Sequence, residues 1–145
     1  MVTREKIKQH IEQNPGAYFR KLLRDLGLAS GQLQHHLHRL VRSGDITPYS
    51  CLGHTCYCSS STPASSRAIH AAVKNPVNRD ILLHLLSHET THCHDLGSHL
   101  NRAASTITHR LKRLEQEGII HVTKHGKHKC VHFKNADDVR KVLSS

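Results

Sequence analysis

Shifted by 74 residues, the chain falls on itself without a gap from Arg4 to Ile46. Leu22 meets Leu96, Leu26 meets Leu100, Leu37 meets Leu111 and Leu40 meets Leu114. Beside these, His10 meets His84, His35 meets His109, Arg39 meets Arg113, Gly44 meets Gly118 and Ile46 meets Ile120. Ile7/Ile81, Ile11/Leu85 and Leu33/Ile107 are apolar in both halves. The matches fall on the period of a buried core, which argues for shared structure. The chain reads as two copies of one small module.

Each copy has the same order of elements. A first helix over 3–13 carries Ile7 and Ile11 on one face, and Asn14-Pro15-Gly16 ends it. A short second helix over 19–26 stops at Gly27. A third helix opens at Ser30, expected as N-cap, and carries Leu33, Leu37, Leu40 and Val41 at i, i+4, i+7, i+8 until Ser43-Gly44. A β-compatible stretch around Gly53 reads as a hairpin. In the second copy the helices fall at 77–87, 92–100 and 104–117, and the hairpin at 119–122 and 129–133 with a turn at His125-Gly126-Lys127. Ser59-Ser60-Ser61-Thr62-Pro63 is a polar linker, followed by a short helix over 64–74. Asn75-Pro76 reads as N-cap and first residue of the next helix, and a last helix covers 135–143. The expected division is 1–60, a linker with a short helix at 61–74, and 75–145.

Composition narrows the partners. Among 145 residues, 21 Lys and Arg stand against 11 Asp and Glu, for a formal charge of +10. Such a balance suits nucleic acid or an anionic surface. No apolar run approaches the ~20 residues of a membrane span, and the N-terminus has no apolar signal segment. We therefore expect a cytoplasmic protein in which the five Cys are thiols, metal ligands or redox switches before they are disulfides. Neither a Gly-rich phosphate loop nor GxSxG nor HExxH is present, so no enzymatic activity is expected.

Helix, short helix, helix, hairpin is the order of a winged helix-turn-helix module. The fold expected is mainly α with small β-hairpins (α+β): two tandem winged helix-turn-helix domains joined by a short linker and helix. The segments GLASGQLQHHLHRLVRSGDI and NRAASTITHRLKRLEQEGII resemble the third-helix signature of prokaryotic winged-helix transcriptional regulators. With NPGAYFRKLLRDLGL in the first copy, the tandem layout is similar to archaeal regulators built from two winged helices. The resemblance spans nearly the whole chain and implies DNA binding, but neither target nor signal.

On the third helix of copy one, His35, His38, Arg39 and Arg42 lie opposite the leucines, with Gln32 and His36 flanking; Ser30 and Gln34 join this candidate DNA-reading set. In copy two the set is Ser105, Thr106, Thr108, His109, Arg110, Lys112 and Arg113, with Gln116 on the same face. Arg can read guanine and Gln adenine in the major groove, while His and Thr contact phosphates or base edges. A solvated helix face is the plainer reading of the same residues. Lys124, Lys127, His128 and Lys129 make the second hairpin a basic wing suited to phosphates. The first, PYSCLGHTCYC, has neither Lys nor Arg.

The first hairpin instead carries Cys51, His54, Cys56 and Cys58, four soft or borderline ligands suited in type to zinc or another transition metal. Against this, one hairpin struggles to wrap a tetrahedron, and Cys also serves as an apolar filler. At the repeat offset the second hairpin has His125, His128, Cys130 and His132; an alignment matching Gly53 with Gly126 breaks the correspondence, and the sequence leaves both open. A thiol switch at Cys56 and Cys58, or at Cys51, is a further candidate. A Cys56–Cys58 disulfide is sterically poor, because alternate strand residues sit ~6.6 Å apart. His84, His88, His92, Cys93 and His94 form another group that reads first as a His-rich helix corner and second as a metal or pH site.

The expectation is a DNA-binding transcriptional regulator of repressor type, with double-stranded DNA as partner and no membrane or small-molecule substrate. It needs no cofactor, zinc being the candidate if the hairpin binds metal. A homodimer through the helix at 64–73 or 136–143 is expected, unless both pack on their own domain. The rivals are a metal- or redox-responsive regulator gated by the Cys/His hairpin and a winged-helix protein-interaction module.

Overall fold

The computed structural model describes residues 3–88 and 91–144, without the side chains of His94 and His125. It divides into two compact units, Met1–Arg67 and Ala68–Ser145. The first contains α1 (Thr3–Gln13), β1 (Ala17–Tyr18), α2 (Phe19–Leu26), α3 (Ser30–Arg42), β2 (Ile46–Cys51) and β3 (His54–Ser59). Helix α4 (Ala64–Ala72) contains the division. The second unit continues with α5 (Pro76–Ser87), β4 (Thr91–His92), α6 (Cys93–Leu100), α7 (Ala104–Gln116), β5 (Ile120–His125), β6 (His128–Phe133) and α8 (Ala136–Ser144).

Adding 74 to the bounds of β1, α2, α3, β2 and β3 gives those of β4, α6, α7, β5 and β6. The repeat therefore runs through the hairpins, which settles the alignment that the sequence left open. The two turns explain why the glycines disagree. Leu52 and Gly53 both have positive φ (54° and 82°), as in a type I′ turn. In the second hairpin Gly126 is positive (62°) and Lys127 is not, as in type II′, where Gly stands first. Two-residue loops of either type keep the same strand register.

In the first unit Ile7 and Ile11 of α1, Leu22 of α2, Leu33, Leu37 and Leu40 of α3, Ala17 and Ile46 form the core. These are the periodic apolar positions, and their burial is the main stabilising term. Phe19, Leu23, Leu26, Leu28, Val41 and Tyr57 pack around them. The second unit buries Ile81, Leu82, Leu85, Leu96, Ile107, Leu111, Leu114, Ile119, Ile120 and Val131. The sheets are ordered β1-β3-β2 and β4-β6-β5, both antiparallel. The two-residue edge strands, Ala17↔Tyr57 and Thr91↔Val131, tie the start of each helix-turn-helix to its hairpin.

Several boundaries differ from the sequence reading. The α3 N-cap is Ala29, without a side-chain bond, and Ser30 is the first helical residue. His92 is likewise the N-cap of α6 and its first residue is Cys93. Helix α7 ends at Gln116, and Glu117 is its C-cap. Helix α4 stops at Ala72, and β5 and β6 are longer than expected. The expected Asn75 cap is present, accepting from the Val77 and Asn78 amides at 2.9 and 3.2 Å. Gly27 and its counterpart Asn101 close α2 and α6 in the left-handed conformation. Val139 and Val142 of α8 are buried, and α8 packs against α5 in its own unit. No helix among the described residues is long and apolar enough to cross a membrane.

Candidate nucleic-acid interface

The buried leucines fix which side of α3 reaches solvent. Gln32, Gln34, His35, His38, Arg39 and Arg42 are exposed, as is Ser30. His36 is half-buried; burial, then Arg4, His35 and Arg39, pull its pKa below the usual histidine value. On α7, Ser105, Thr108, His109, Lys112 and Gln116 are exposed, and Thr106, Arg110 and Arg113 are half-buried. The structure thus brings the expected residues of each helix to its non-core side.

Thr108 and Lys112 face the hairpin. With Cys93, Leu111, Glu115, Val122 and Lys129 they line a cleft of about 410 Å³ between α7 and the β5–β6 ribbon. The Val122 amide donates to Glu115 Oε2 at 2.8 Å, fastening the ribbon to the helix. Lys124, Lys127, His128 and Lys129 are exposed. Lys124 and Lys129 are directly opposed in the ladder. Like charges in that position destabilise a sheet unless an anion lies against them. The first hairpin has Ser50 opposite Thr55 at the matching places, so the wings differ in charge while sharing a register.

The sheet faces decide the fate of the Cys/His set. Ile46 and Tyr57 point to the helical core, so Cys51, His54, Cys56 and Cys58 share the other face. The three thiols are buried free cysteines and His54 is exposed. The start of α4 lies over this face: Tyr49 Oη donates to the Arg67 carbonyl at 2.9 Å. Burial, then Cys56, Cys58 and Cys51, raise the Tyr49 hydroxyl far above its usual range, with Arg67 opposing. Burial raises the Cys58 thiol, and the Arg67 charge opposes it. The His54 ring stacks on Tyr18 at 5.6 Å.

Among the described residues no three or more His, Cys, Asp or Glu side chains are arranged to hold a metal ion. The donor set expected of the first hairpin is not gathered to hold zinc: the three thiols are buried, whereas His54 is exposed and stacks on Tyr18. In the second hairpin Cys130 is buried with Sγ 3.6 Å from His92 Nδ1, and the His92 and His128 rings lie 5.2 Å apart. The His125 side chain lies outside the described residues.

The expected helix-corner group also separates. His84 and His88 stack at 4.2 Å and are joined by His99, 5.1 Å from His84, whereas His92 belongs to the sheet. The His94 side chain lies outside the described residues. His99, on α6, and Arg4, on α1, are residues that sequence reasoning missed, since only packing brings them to these places.

Two units of this layout define a tandem winged helix-turn-helix protein, of mainly α, α+β fold, in the class of DNA-binding transcriptional regulators. The family comparisons divide the chain in the same sense: residues 1–69 match a family described as an N-terminal HTH domain, and residues 75–128 match the MarR family. Among solved structures, HlyU from Vibrio cholerae N16961 is similar at TM-score 0.48 and 18% identity, over 52% of this chain and 82% of that one. Reduced HlyU from the same organism gives TM-score 0.48 and 18% identity over 52% and 79%. No curated relative matches the chain.

Proposed function

We propose that the chain regulates transcription by reading duplex DNA with α3 and α7 in the major groove, the hairpins resting on flanking phosphates. The observation that carries this reading is the repeated division of the third helix. Leu33, Leu37 and Leu40 are buried in one copy, Ile107, Leu111 and Leu114 in the other, and Arg39 and Arg113 stand at matching places off that stripe. The DNA-binding residues assigned are Ser30, Gln32, Gln34, His35, His38, Arg39 and Arg42 in copy one, and Ser105, Thr106, Thr108, His109, Arg110, Lys112 and Arg113 in copy two. Lys124, Lys127, His128 and Lys129 supply phosphate contacts. A cytoplasmic, nucleoid-associated location and a homodimer accompany this reading.

The test is a fluorescence titration against genomic DNA fragments. Arg39→Ala and Arg113→Ala should each weaken cognate binding by about tenfold, a loss of ~1.4 kcal/mol. If both leave affinity unchanged, the helix assignment fails. Affinity that shifts on chelation or oxidation would favour a metal- or redox-gated regulator. Binding to a protein partner and to no duplex would favour the interaction module.

A further inference from the structure

We propose that Arg4, Arg39 and Arg42 form a phosphate-binding pocket in the first unit, a site the second copy does not repeat. The three guanidinium-bearing residues line a concavity of about 460 Å³ with Ser43 and Asp45. Packing of α1 on α3 brings Arg4 to this place, 32 positions from His36, to whose Nδ1 its Nε donates at 3.4 Å. The carboxylate in the wall is already engaged. Ser43 Oγ donates to Asp45 Oδ2 at 2.8 Å, and Lys8 Nζ lies 3.5 Å from Asp45 Oδ1. None of the three guanidiniums forms an ion pair with a carboxylate among the described residues.

Three such cations around one hollow outnumber its single carboxylate, which Lys8 already pairs, and an anion relieves the excess. The lowered pKa of His36, to which Arg4 and Arg39 contribute after burial, registers the same local excess. A guanidinium offers a rigid donor fork, and a phosphate has enough oxygens to accept from more than one. A single carboxylate is matched by one fork.

The second copy shows that the fold does not impose this pocket. At the offset of 74, Arg4 becomes Asn78, which is fully buried and donates to the Ala72 carbonyl at 3.1 Å. Arg42 becomes Gln116, Ser43 becomes Glu117 and Asp45 becomes Ile119; only Arg113 remains. The phosphate can belong to a DNA backbone, which rests on the DNA-binding reading above, or to a small phosphorylated molecule, which does not.

The test uses the full chain, a mixed-sequence 30-base-pair duplex and inorganic pyrophosphate as separate probes. Duplex affinity is followed by anisotropy across a salt series for wild type, Arg4→Gln and Arg79→Gln, an exposed cation outside the pocket. Pyrophosphate binding is followed by calorimetry. A log–log salt slope shallower by about 0.9 in Arg4→Gln but not Arg79→Gln would show a DNA phosphate in the pocket. Unchanged slope with saturable pyrophosphate binding abolished only in Arg4→Gln would show a small phosphorylated ligand. Unchanged slope with no Arg4-dependent pyrophosphate binding overturns the proposal. Wild type that binds no duplex sinks the DNA reading, and the pyrophosphate arm then decides the pocket alone.

Discussion

His84 stacks on His99 with ring centroids 5.1 Å apart, at the place where the first copy sets His10 Nε2 against Asp25 Oδ2 at 3.1 Å. The repeat offset maps His10 to His84 and Asp25 to His99, so one substitution exchanges an anionic partner for a second titratable cation. His88 completes the second-copy cluster, its Nδ1 on the His84 carbonyl at 2.9 Å.

The exchange predicts opposite acid responses. Burial, then His88 and His99, hold the His84 pKa below 6.5. The unfolded chain therefore takes up more protons below about pH 6.5, and this contribution to stability, present above that value, is lost as pH falls towards the folded value. The Asp25 pKa is lowered by Lys21 first and by His10. Its contribution persists above 3.8 and is lost only in stronger acid. Between pH 7.5 and 5.5, hydrogen exchange should quicken in α5 and α6 while α1 and α2 hold. His99→Asp should flatten that response; equal loss in both units would contradict it.

The wing prediction is electrostatic. Replacing Lys124, Lys127 and Lys129 with Ala should flatten the log–log salt slope of duplex binding by about 0.9 for each phosphate the wing no longer neutralises. The same replacement should not reduce folding stability, because it relieves the opposed Lys124/Lys129 pair. An unchanged slope would place the wing away from DNA.

Thiol chemistry should separate the cysteines. Cys51, Cys56, Cys58 and Cys130 are buried and Cys93 is half-buried. Burial raises the Cys93 pKa, with Lys129 opposing, so little thiolate forms near neutrality. A thiol reagent at pH 8 should modify Cys93 first, several-fold slower than free cysteine, and the other four only after unfolding. Immediate reaction of Cys56 or Cys58 would show the α4 cover to be open.

The first hairpin turn holds Leu52 at φ 54°, a conformation that costs a non-glycine residue about 1–2 kcal/mol. Leu52→Asn creates Asn-Gly, the pair best suited to a type I′ turn, and should raise stability by about 0.5–1 kcal/mol in denaturant titration. Leu33→Ala in the core should instead cost about 3 kcal/mol.

Local periodicity was enough for the sequence to determine the repeat, the helices and their apolar faces. Leu33, Leu37 and Leu40 recur at helical spacing and are buried, and turn and cap signals bounded α1 and α2. Two-residue strands such as Ala17–Tyr18 have no period to read and exist through pairing with β3. Glycine position was a poor guide to hairpin register, because two turn types of equal length place Gly differently. Tertiary structure alone decided that Cys58 and Tyr49 of the first hairpin meet Arg67 and that His99, instead of His92, joins His84 and His88. It alone brought Arg4 to Arg39 and Arg42. Those contacts join segments distant along the chain, and their chemistry depends on which faces the packed core turns towards one another.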